Sequence, residues 1–96
     1  MNIEGKVAVI TGGASGLGRA TAEKIIAKGG KVAVLDLNKD LAQQTASELG
    51  EAKAYEVNVT DDTSVVAAIE AVKNDFGTIH INVNCAGIGA ASRTVG

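Results

Sequence analysis

Two short apolar runs with nearly the same letters constrain the fold of this chain more than any other feature. The first, KVAVIT, occupies Lys6–Thr11, and the second, KVAVLD, occupies Lys31–Asp36. Neither run alternates apolar with polar residues, so each predicts a strand that is buried on both faces. Strands of that kind belong to parallel sheets, in which a helical crossover joins one strand to the next.

Helical spacing fills the segments that separate the strands. Apolar residues recur there every three or four positions, as on the buried face of a helix. Glycines at positions 29, 50 and 77 follow these segments, where C-terminal caps occur. The predicted helices, each with the residues expected on its buried face, are Leu17–Lys28 (Leu17, Thr21, Ile25), Lys39–Leu49 (Leu41, Thr45, Leu49) and a third that starts near Thr60-Asp61-Asp62 (Val65, Ile69, Val72, Phe76).

Two further strands complete the series. Ala52–Val59 alternates in part, as a strand nearer an edge would, and Ile79–Asn84 precedes a second glycine-bearing turn. The order β-α-β-α-β-α-β predicts the α/β class, in one domain over residues 1–96, with a parallel sheet and right-handed crossovers. The usual strand order would be 3-2-1-4. The first two helices should then cover one face of the sheet and the third helix the other.

The letters TGGASGLG at residues 11–18 concentrate four glycines directly after the first strand. A helix N-terminus favours a phosphate, and glycines let the backbone approach it closely. A P-loop needs Lys and then Ser or Thr after Gly18, where this chain has Arg19 and Ala20, so a nucleoside-triphosphatase is disfavoured. The strict G-x-G-x-x-G fingerprint fails at Thr21. The pattern that fits is T-G-x-x-x-G-x-G, with Thr11, Gly12, Gly16 and Gly18.

This pattern resembles the classical short-chain dehydrogenase/reductase family when it is taken together with two other features. These are an acid, Asp36, at the end of the second strand and an N-x-A-G turn after the fourth. Within the family, the words AVITGGASGLG and VNCAGI are similar to the branch of the type II 3-hydroxyacyl-CoA dehydrogenases, which are also hydroxysteroid dehydrogenases. The resemblance covers essentially the whole chain. It implies a Rossmann-like, doubly wound parallel sheet and a nicotinamide cofactor.

The resemblance implies that the glycine-rich segment contacts the cofactor pyrophosphate. A plain helix-start loop suits four glycines at this spacing poorly. Asp36 would bond to the adenosine ribose hydroxyls and repel a 2′-phosphate, which favours NAD over NADP. Arg19 could pair with that phosphate instead, although a solvated place in the first helical turn suits it better. The residues of the segment with a cofactor role are Gly12, Ser15, Gly16, Leu17 and Gly18.

The rest of the implied cofactor site follows the third and fourth strands. Asn58 and Val59 stand where the family commonly has Asp-Val, whose acid accepts a hydrogen bond from the adenine amino group. Asn58 can still accept through its amide oxygen, without the charge, and a simple strand-end role remains open for it and for Asp36. The turn that would pass beside the adenosine and the nicotinamide ribose consists of Asn84, Cys85, Ala86 and Gly87.

The catalytic residues that the resemblance implies are missing from this chain. Family members transfer a hydride between a nicotinamide and a carbonyl or alcohol, with a Tyr-x-x-x-Lys pair and a Ser for the proton. The one tyrosine, Tyr55, is followed four residues later by Val59, and no serine matches. We therefore expect the NAD-binding half of an oxidoreductase, inactive as 96 residues alone. A non-catalytic dinucleotide-binding module or sensor is the alternative.

Charge and cysteine content limit the classes of partner that we expect for this chain. A net charge of −2 without a basic block argues against nucleic acid and an anionic membrane surface. The single cysteine, Cys85, lacks a disulfide partner and metal-ligand companions, which indicates no metal and a reducing compartment such as the cytoplasm. The resemblance implies a small-molecule substrate, a 3-hydroxyacyl-CoA or hydroxysteroid, and a homo-oligomeric, typically tetrameric, parent enzyme. The fourth strand would be an apolar edge, which also favours association.

Overall fold

The computed structural model describes residues 2–14 and 16–85. Strands and helices alternate along this part of the chain, as the sequence predicts. The last strand lies beside the first rather than at the far side of the sheet. The elements are β1 (Val7–Thr11), α1 (Gly16–Ala27), β2 (Lys31–Asp36), α2 (Lys39–Leu49), β3 (Ala52–Glu56), α3 (Asp62–Phe76) and β4 (Ile81–Asn84).

The four strands form one parallel sheet in the order β3-β2-β1-β4, which confirms the predicted topology. β1 and β2 lie in the centre, with Val7 opposite Lys31 and Thr11 opposite Leu35. Their central position explains the absence of polar alternation, since both faces of these strands are covered. The two KVAV runs therefore form the middle of a Rossmann-like α/β sheet.

Helices cover both faces of this sheet. α1 and α2 pack against one face, where the largest buried strand residues are Ile10, Val32 and Val34. α3 packs against the other face, over Val9 and Leu35. The doubly wound arrangement is therefore confirmed. Within residues 2–14 and 16–85, no helix is long and apolar enough to cross a membrane.

The stripes that α1 and α2 bury match the predicted ones in part, since Ile25 and Thr45 are buried as predicted but two leucines are not. Leu17 is 54% exposed and Leu41 is 41% exposed. Small residues next to these leucines let both helices approach the sheet closely, and the prediction had given more weight to the larger side chains. The face of α3 is confirmed, since Val72 is buried and the other predicted residues pack half-buried around it. The buried residues are Gly18, Ala22 and Ile25 in α1 and Ala42, Thr45 and Ala46 in α2.

β3 ends at Glu56, three residues before the predicted end at Val59. The chain turns at Asn58, whose Oδ1 accepts hydrogen bonds from Thr60 N at 3.0 Å and Thr60 Oγ1 at 2.7 Å. This Asx-type turn competes with further strand pairing, because the side chain satisfies a backbone donor locally. α3 then starts at Asp62, with Asp61 as its N-cap.

β4 begins at Ile81 rather than at the predicted Ile79. His80 interrupts the ladder there, because its Nδ1 accepts a hydrogen bond from Val7 N at 3.0 Å. The backbone N–H of His80 donates to Val7 O at 2.9 Å. The imidazole thus replaces a backbone acceptor at the start of the strand. Its role is structural, as expected for a lone histidine away from other ligands.

Tyr55 links β3 to α3, since its hydroxyl donates to Asp75 Oδ2 at 2.6 Å. Burial, and then this hydrogen bond, raise the pKa of Tyr55 well above its usual value. A raised pKa in the folded state means stability that is present below the unfolded-state pKa of about 10 and is lost as the pH rises above it.

We therefore expect Tyr55→Phe to lower the free energy of unfolding by about 1 kcal/mol at pH 7. The difference from the wild type should shrink above pH 10, because the wild type alone then loses the contribution of the protonated phenol. Urea denaturation of both proteins at pH 7 and at pH 11 measures this. A difference that stays constant with pH would contradict the assignment.

Candidate cofactor-binding site

The glycine loop, residues 12–14, joins β1 to α1 and is held by the end of β2. Gly12 has a φ of 72°, a conformation that favours glycine. Gly12 N and Gly13 N both donate to Leu35 O, at 2.7 and 3.4 Å. Ala14 N donates to Asp36 Oδ2 at 3.2 Å. The neighbouring strand therefore sets the conformation of the loop.

α1 begins in direct contact with this loop. A Cβ placed on Gly18 would touch Gly12 O and would lie 2.7 Å from Gly13 Cα, whereas one on Gly16 would meet no atom within 4 Å. The described part of the first turn of α1 holds no acidic residue. The partial positive charge of the helix start is thus not offset there. Loop and helix start together can accept an anion close to the backbone.

A cavity of about 350 Å³ opens beside the loop. It lies at the carboxyl ends of the strands, where ligands bind in open α/β sheets. Among the described residues that line it, Asp36 is the only charged one. No group of three or more His, Cys, Asp or Glu in residues 2–14 and 16–85 could hold a metal ion. The lining consists of Gly12, Leu35, Asp36, Leu37, Val57, Asn58, Val59, Thr60 and Cys85.

The structure brings five of the predicted cofactor residues together in the lining of this cavity: Gly12, Asp36, Asn58, Val59 and Cys85. Four others lie near the loop or at the end of the sheet without lining the cavity. Gly16, Leu17 and Gly18 form the start of α1, and Asn84 accepts from Thr11 Oγ1 at 3.0 Å. Predictions that fall outside the described residues concern Ser15, Ala86 and Gly87.

Leu37 and Thr60 line the cavity although they were not predicted to. Leu37 is 66% exposed and directly follows Asp36, and Val59 in the same lining is 47% exposed. The sequence could have indicated Leu37 as a lining residue, since it is a large apolar residue directly after an acid at a strand end. The cavity thus combines exposed apolar side chains with a few polar groups, as ligand sites commonly do.

Asp36 has a second role that sequence reasoning missed. Its Oδ2 accepts from Ala14 N, and its Oδ1 accepts from Asn38 N at 3.1 Å. Asn38 in turn caps α2 by accepting from Leu41 N at 3.0 Å. A carboxylate oxygen has two lone pairs, so each oxygen of Asp36 can still accept from a ligand hydroxyl. Asp36 therefore orders the loop and the start of α2, and it retains capacity for a ligand.

Arg19, which could have paired with a phosphate, is bonded to two acids. Its Nε lies 3.3 Å from Glu23 Oε2, and its Nη1 lies 2.6 Å from Glu48 Oε1. The hydrogen bond from the guanidinium lowers the pKa of Glu48. These exposed pairs contribute little to stability, because solvent and salt screen them. They nevertheless direct the guanidinium toward α2.

Comparison with protein-family models identifies the family of this chain. A family model described as short chain dehydrogenase matches residues 6–95. The chain belongs to the short-chain dehydrogenase family. Its glycine loop, Asp36 and the adjoining cavity are therefore features of a short-chain dehydrogenase sheet.

Two relatives in the short-chain dehydrogenase family are named for a 3-hydroxyacyl-CoA and for a 3-oxoacyl-[acyl-carrier-protein]. The chain is 43% identical over 94 residues to 3-hydroxyacyl-CoA dehydrogenase type-2 of Bos taurus, covering 97% of this chain and 36% of that protein. It is 42% identical over 89 residues to 3-oxoacyl-[acyl-carrier-protein] reductase FabG of Escherichia coli (strain K12), covering 92% and 36%. The chain thus spans little more than a third of the length of these relatives.

A solved structure with the same fold is the 3-ketoacyl-(acyl-carrier-protein) reductase from Brucella melitensis, which was crystallised in complex with NADH. Its TM-score with this chain is 0.81 at 37% sequence identity, and the match covers 83% of this chain and 33% of that one. The likeness therefore extends to the sequence as well as to the backbone.

Proposed function

We propose that this short-chain dehydrogenase chain binds NAD at the carboxyl end of its sheet. The observation that carries the proposal is the cavity beside the glycine loop, in which Asp36 is the only charged residue among the described lining. The pyrophosphate would lie against the loop at the start of α1, where the partial positive charge of the helix favours an anion. The adenosine ribose hydroxyls would donate to the remaining lone pairs of Asp36.

Asp36 also supports NAD over NADP. A carboxylate next to the ribose repels a 2′-phosphate, by about 4 kcal/mol for two unit charges 4 Å apart near a protein surface. Arg19, the nearby cation that could offset this repulsion, is bonded to Glu23 and Glu48. The Brucella melitensis relative was crystallised with NADH, which supports a nicotinamide dinucleotide as the ligand.

The nicotinamide would supply hydride transfer to or from a carbonyl or alcohol. This chain would hold and orient the dinucleotide, but its one tyrosine is not placed to move a proton in the cavity, since the Tyr55 hydroxyl donates to Asp75. We therefore propose that the 96 residues bind cofactor without turnover. The names of the relatives favour a 3-hydroxyacyl or 3-oxoacyl thioester as substrate of the whole enzyme.

Calorimetric titration of the chain with NAD and with NADP at pH 7 tests the proposal. We expect NAD to bind about tenfold more tightly or better, because screening reduces the repulsion of the 2′-phosphate without removing it. Equal affinities would contradict the role of Asp36. Failure of both dinucleotides to bind would overturn the cofactor site, and measurable turnover by the chain alone would contradict its inactivity.

A further inference from the structure

We propose that the β4 edge of the sheet is a dimer interface, at which a second copy of this chain pairs its own β4 antiparallel to the first. The two four-stranded sheets then form one continuous sheet about a twofold axis. The inference goes beyond the proposed function, because it concerns the edge of the sheet rather than the cofactor cavity. It rests on the charges and the backbone geometry of the two edge strands.

The two edge strands of the sheet differ in charge. In the part of the chain that the structure describes, β3 forms one edge and β4 the other, and each pairs with a single neighbour. β3 exposes Lys53 and Glu56, and charged side chains on an edge strand oppose its pairing with another chain. β4, Ile81–Asn84, carries no charged residue and no proline. Of the two edges, β4 is therefore the one that lacks this protection.

The backbone of Asn82 points outward from the β4 edge. Cys85 N donates to Thr11 O at 2.8 Å, and Val83 O accepts from Thr11 Oγ1 at 3.4 Å. The backbone groups of Val83 and Cys85 thus face β1. Because the backbone groups of successive strand residues point to opposite sides, the N–H and C=O of Asn82 face away from β1. An antiparallel strand at this edge can exchange two hydrogen bonds with them.

A twofold axis at Asn82 makes β4 complementary to itself. In an antiparallel pair centred there, Asn82 faces Asn82 of the partner subunit, and the two residues exchange both backbone hydrogen bonds. The flanking positions place Ile81 opposite Val83 of the partner subunit on either side of the axis. Such non-hydrogen-bonded positions bring side chains closest. Both residues are half-buried against the apolar cluster under α1 and α2, so apolar side chains meet on one face and amides on the other.

The charges favour a second β4 over β3 as the partner strand. A residue on the twofold axis faces its own copy, so a charge there would be repelled, whereas the amide of Asn82 can both donate to and accept from an identical amide. Pairing of β4 with β3 of another copy would meet Lys53 and Glu56. It would also leave one open edge at each end and add further copies. Pairing of β4 with β4 closes at two copies.

Sedimentation equilibrium of the 96-residue chain tests this inference. We expect the mass of the wild type to rise with concentration toward twice the monomer mass of 9.6 kDa. Asn82→Lys and Asn82→Asp should each weaken association at least about tenfold, because like charges would lie directly opposite each other. An equimolar mixture of the two variants should recover a dimer with one copy of each, since opposite charges then face across the axis. The side chain of Asn82 is exposed, so both variants should keep the monomer fold.

Asn74→Lys and Asn74→Asp are the matched controls, since they make the same chemical changes at an exposed position of α3. Each should associate as the wild type does. A wild type that stays at the monomer mass would overturn the inference, and so would masses that grow beyond the dimer. Variants at position 82 that associate as strongly as the wild type, or whose mixture stays monomeric, would also overturn it. Titration of the same proteins with NAD measures the proposed function separately.

Discussion

Gly18→Ala is expected to reduce NAD affinity by roughly ten- to a hundredfold, because moving the loop weakens its hydrogen bonds to the charged pyrophosphate. The new methyl group would touch Gly12 O and would lie 2.7 Å from Gly13 Cα. Backbone atoms cannot rotate away as a side chain can. Since Leu35 O holds the amides of Gly12 and Gly13, either α1 or the loop has to move. Overpacking of this kind should also lower the free energy of unfolding by about 2–3 kcal/mol.

Gly16→Ala provides the matched control, two residues earlier in the same helix. A Cβ at Gly16 meets no protein atom within 4 Å, and alanine favours the helix over glycine by up to about 1 kcal/mol. Its stability to urea should equal or exceed that of the wild type. Urea denaturation of both variants detects a clash of the new methyl group with the protein. Calorimetry with NAD detects its effect on the ligand. Wild-type affinity for NAD in Gly18→Ala would refute the proposed position of the pyrophosphate at this loop.

Asp36→Ala is expected to weaken NAD binding by roughly ten- to a hundredfold, the loss of one or two hydrogen bonds to a charged group. It should also raise the affinity for NADP relative to NAD, because the repulsion of the 2′-phosphate disappears. Part of the loss has a structural origin, since Asp36 holds Ala14 N and Asn38 N. Titration of each dinucleotide at low and at high salt measures the charge-dependent part, which salt screens.

Asp36→Asn distinguishes the charge of Asp36 from its hydrogen bonds. Asparagine keeps one acceptor oxygen of nearly the same shape, so NAD affinity should fall less than in the alanine variant. Relative affinity for NADP should still rise. Asp40→Asn removes a charge from the first turn of α2, outside the described cavity lining, and should leave the ratio unchanged. A constant NADP-to-NAD ratio in both Asp36 variants would contradict the proposed selectivity.

The layers of the fold could be predicted because burial determines which letters a central strand can use. KVAVIT and KVAVLD have no polar face, and only the middle of a covered parallel sheet suits them. The helix faces were harder to predict. Leu17 and Leu41 attract attention by size, yet Ala22 and Ala42 are the residues at 0% exposure. A helix that packs closely on a sheet needs small side chains at the contact. A hydrophobic pattern does not distinguish such a buried alanine from an alanine on the surface.

The sequence predicted which residues form the site better than it predicted the hydrogen bonds among them. Asp36 and Asn58 could be chosen from their positions at strand ends. The bond between Asp36 and Ala14 N spans 22 residues, and no local pattern indicates it. The Asn58–Thr60 turn is local and is typical of asparagine two residues before its partner. The amide oxygen of Asn58 was predicted to accept from adenine, and in the structure that oxygen accepts from Thr60 N and Thr60 Oγ1.

The anchoring of the glycine loop to β2 has a thermodynamic consequence for ligand binding. Ordering one residue of backbone costs about 1–2 kcal/mol in conformational entropy. Three consecutive loop amides are bonded to Leu35 O and Asp36 Oδ2, so folding meets that cost and ligand association does not. A preorganised loop binds more tightly than a floppy one with identical contacts. Substitutions in β2 that loosen these bonds should therefore lower the affinity for the cofactor without touching it, because the loop would then lose conformational entropy on binding.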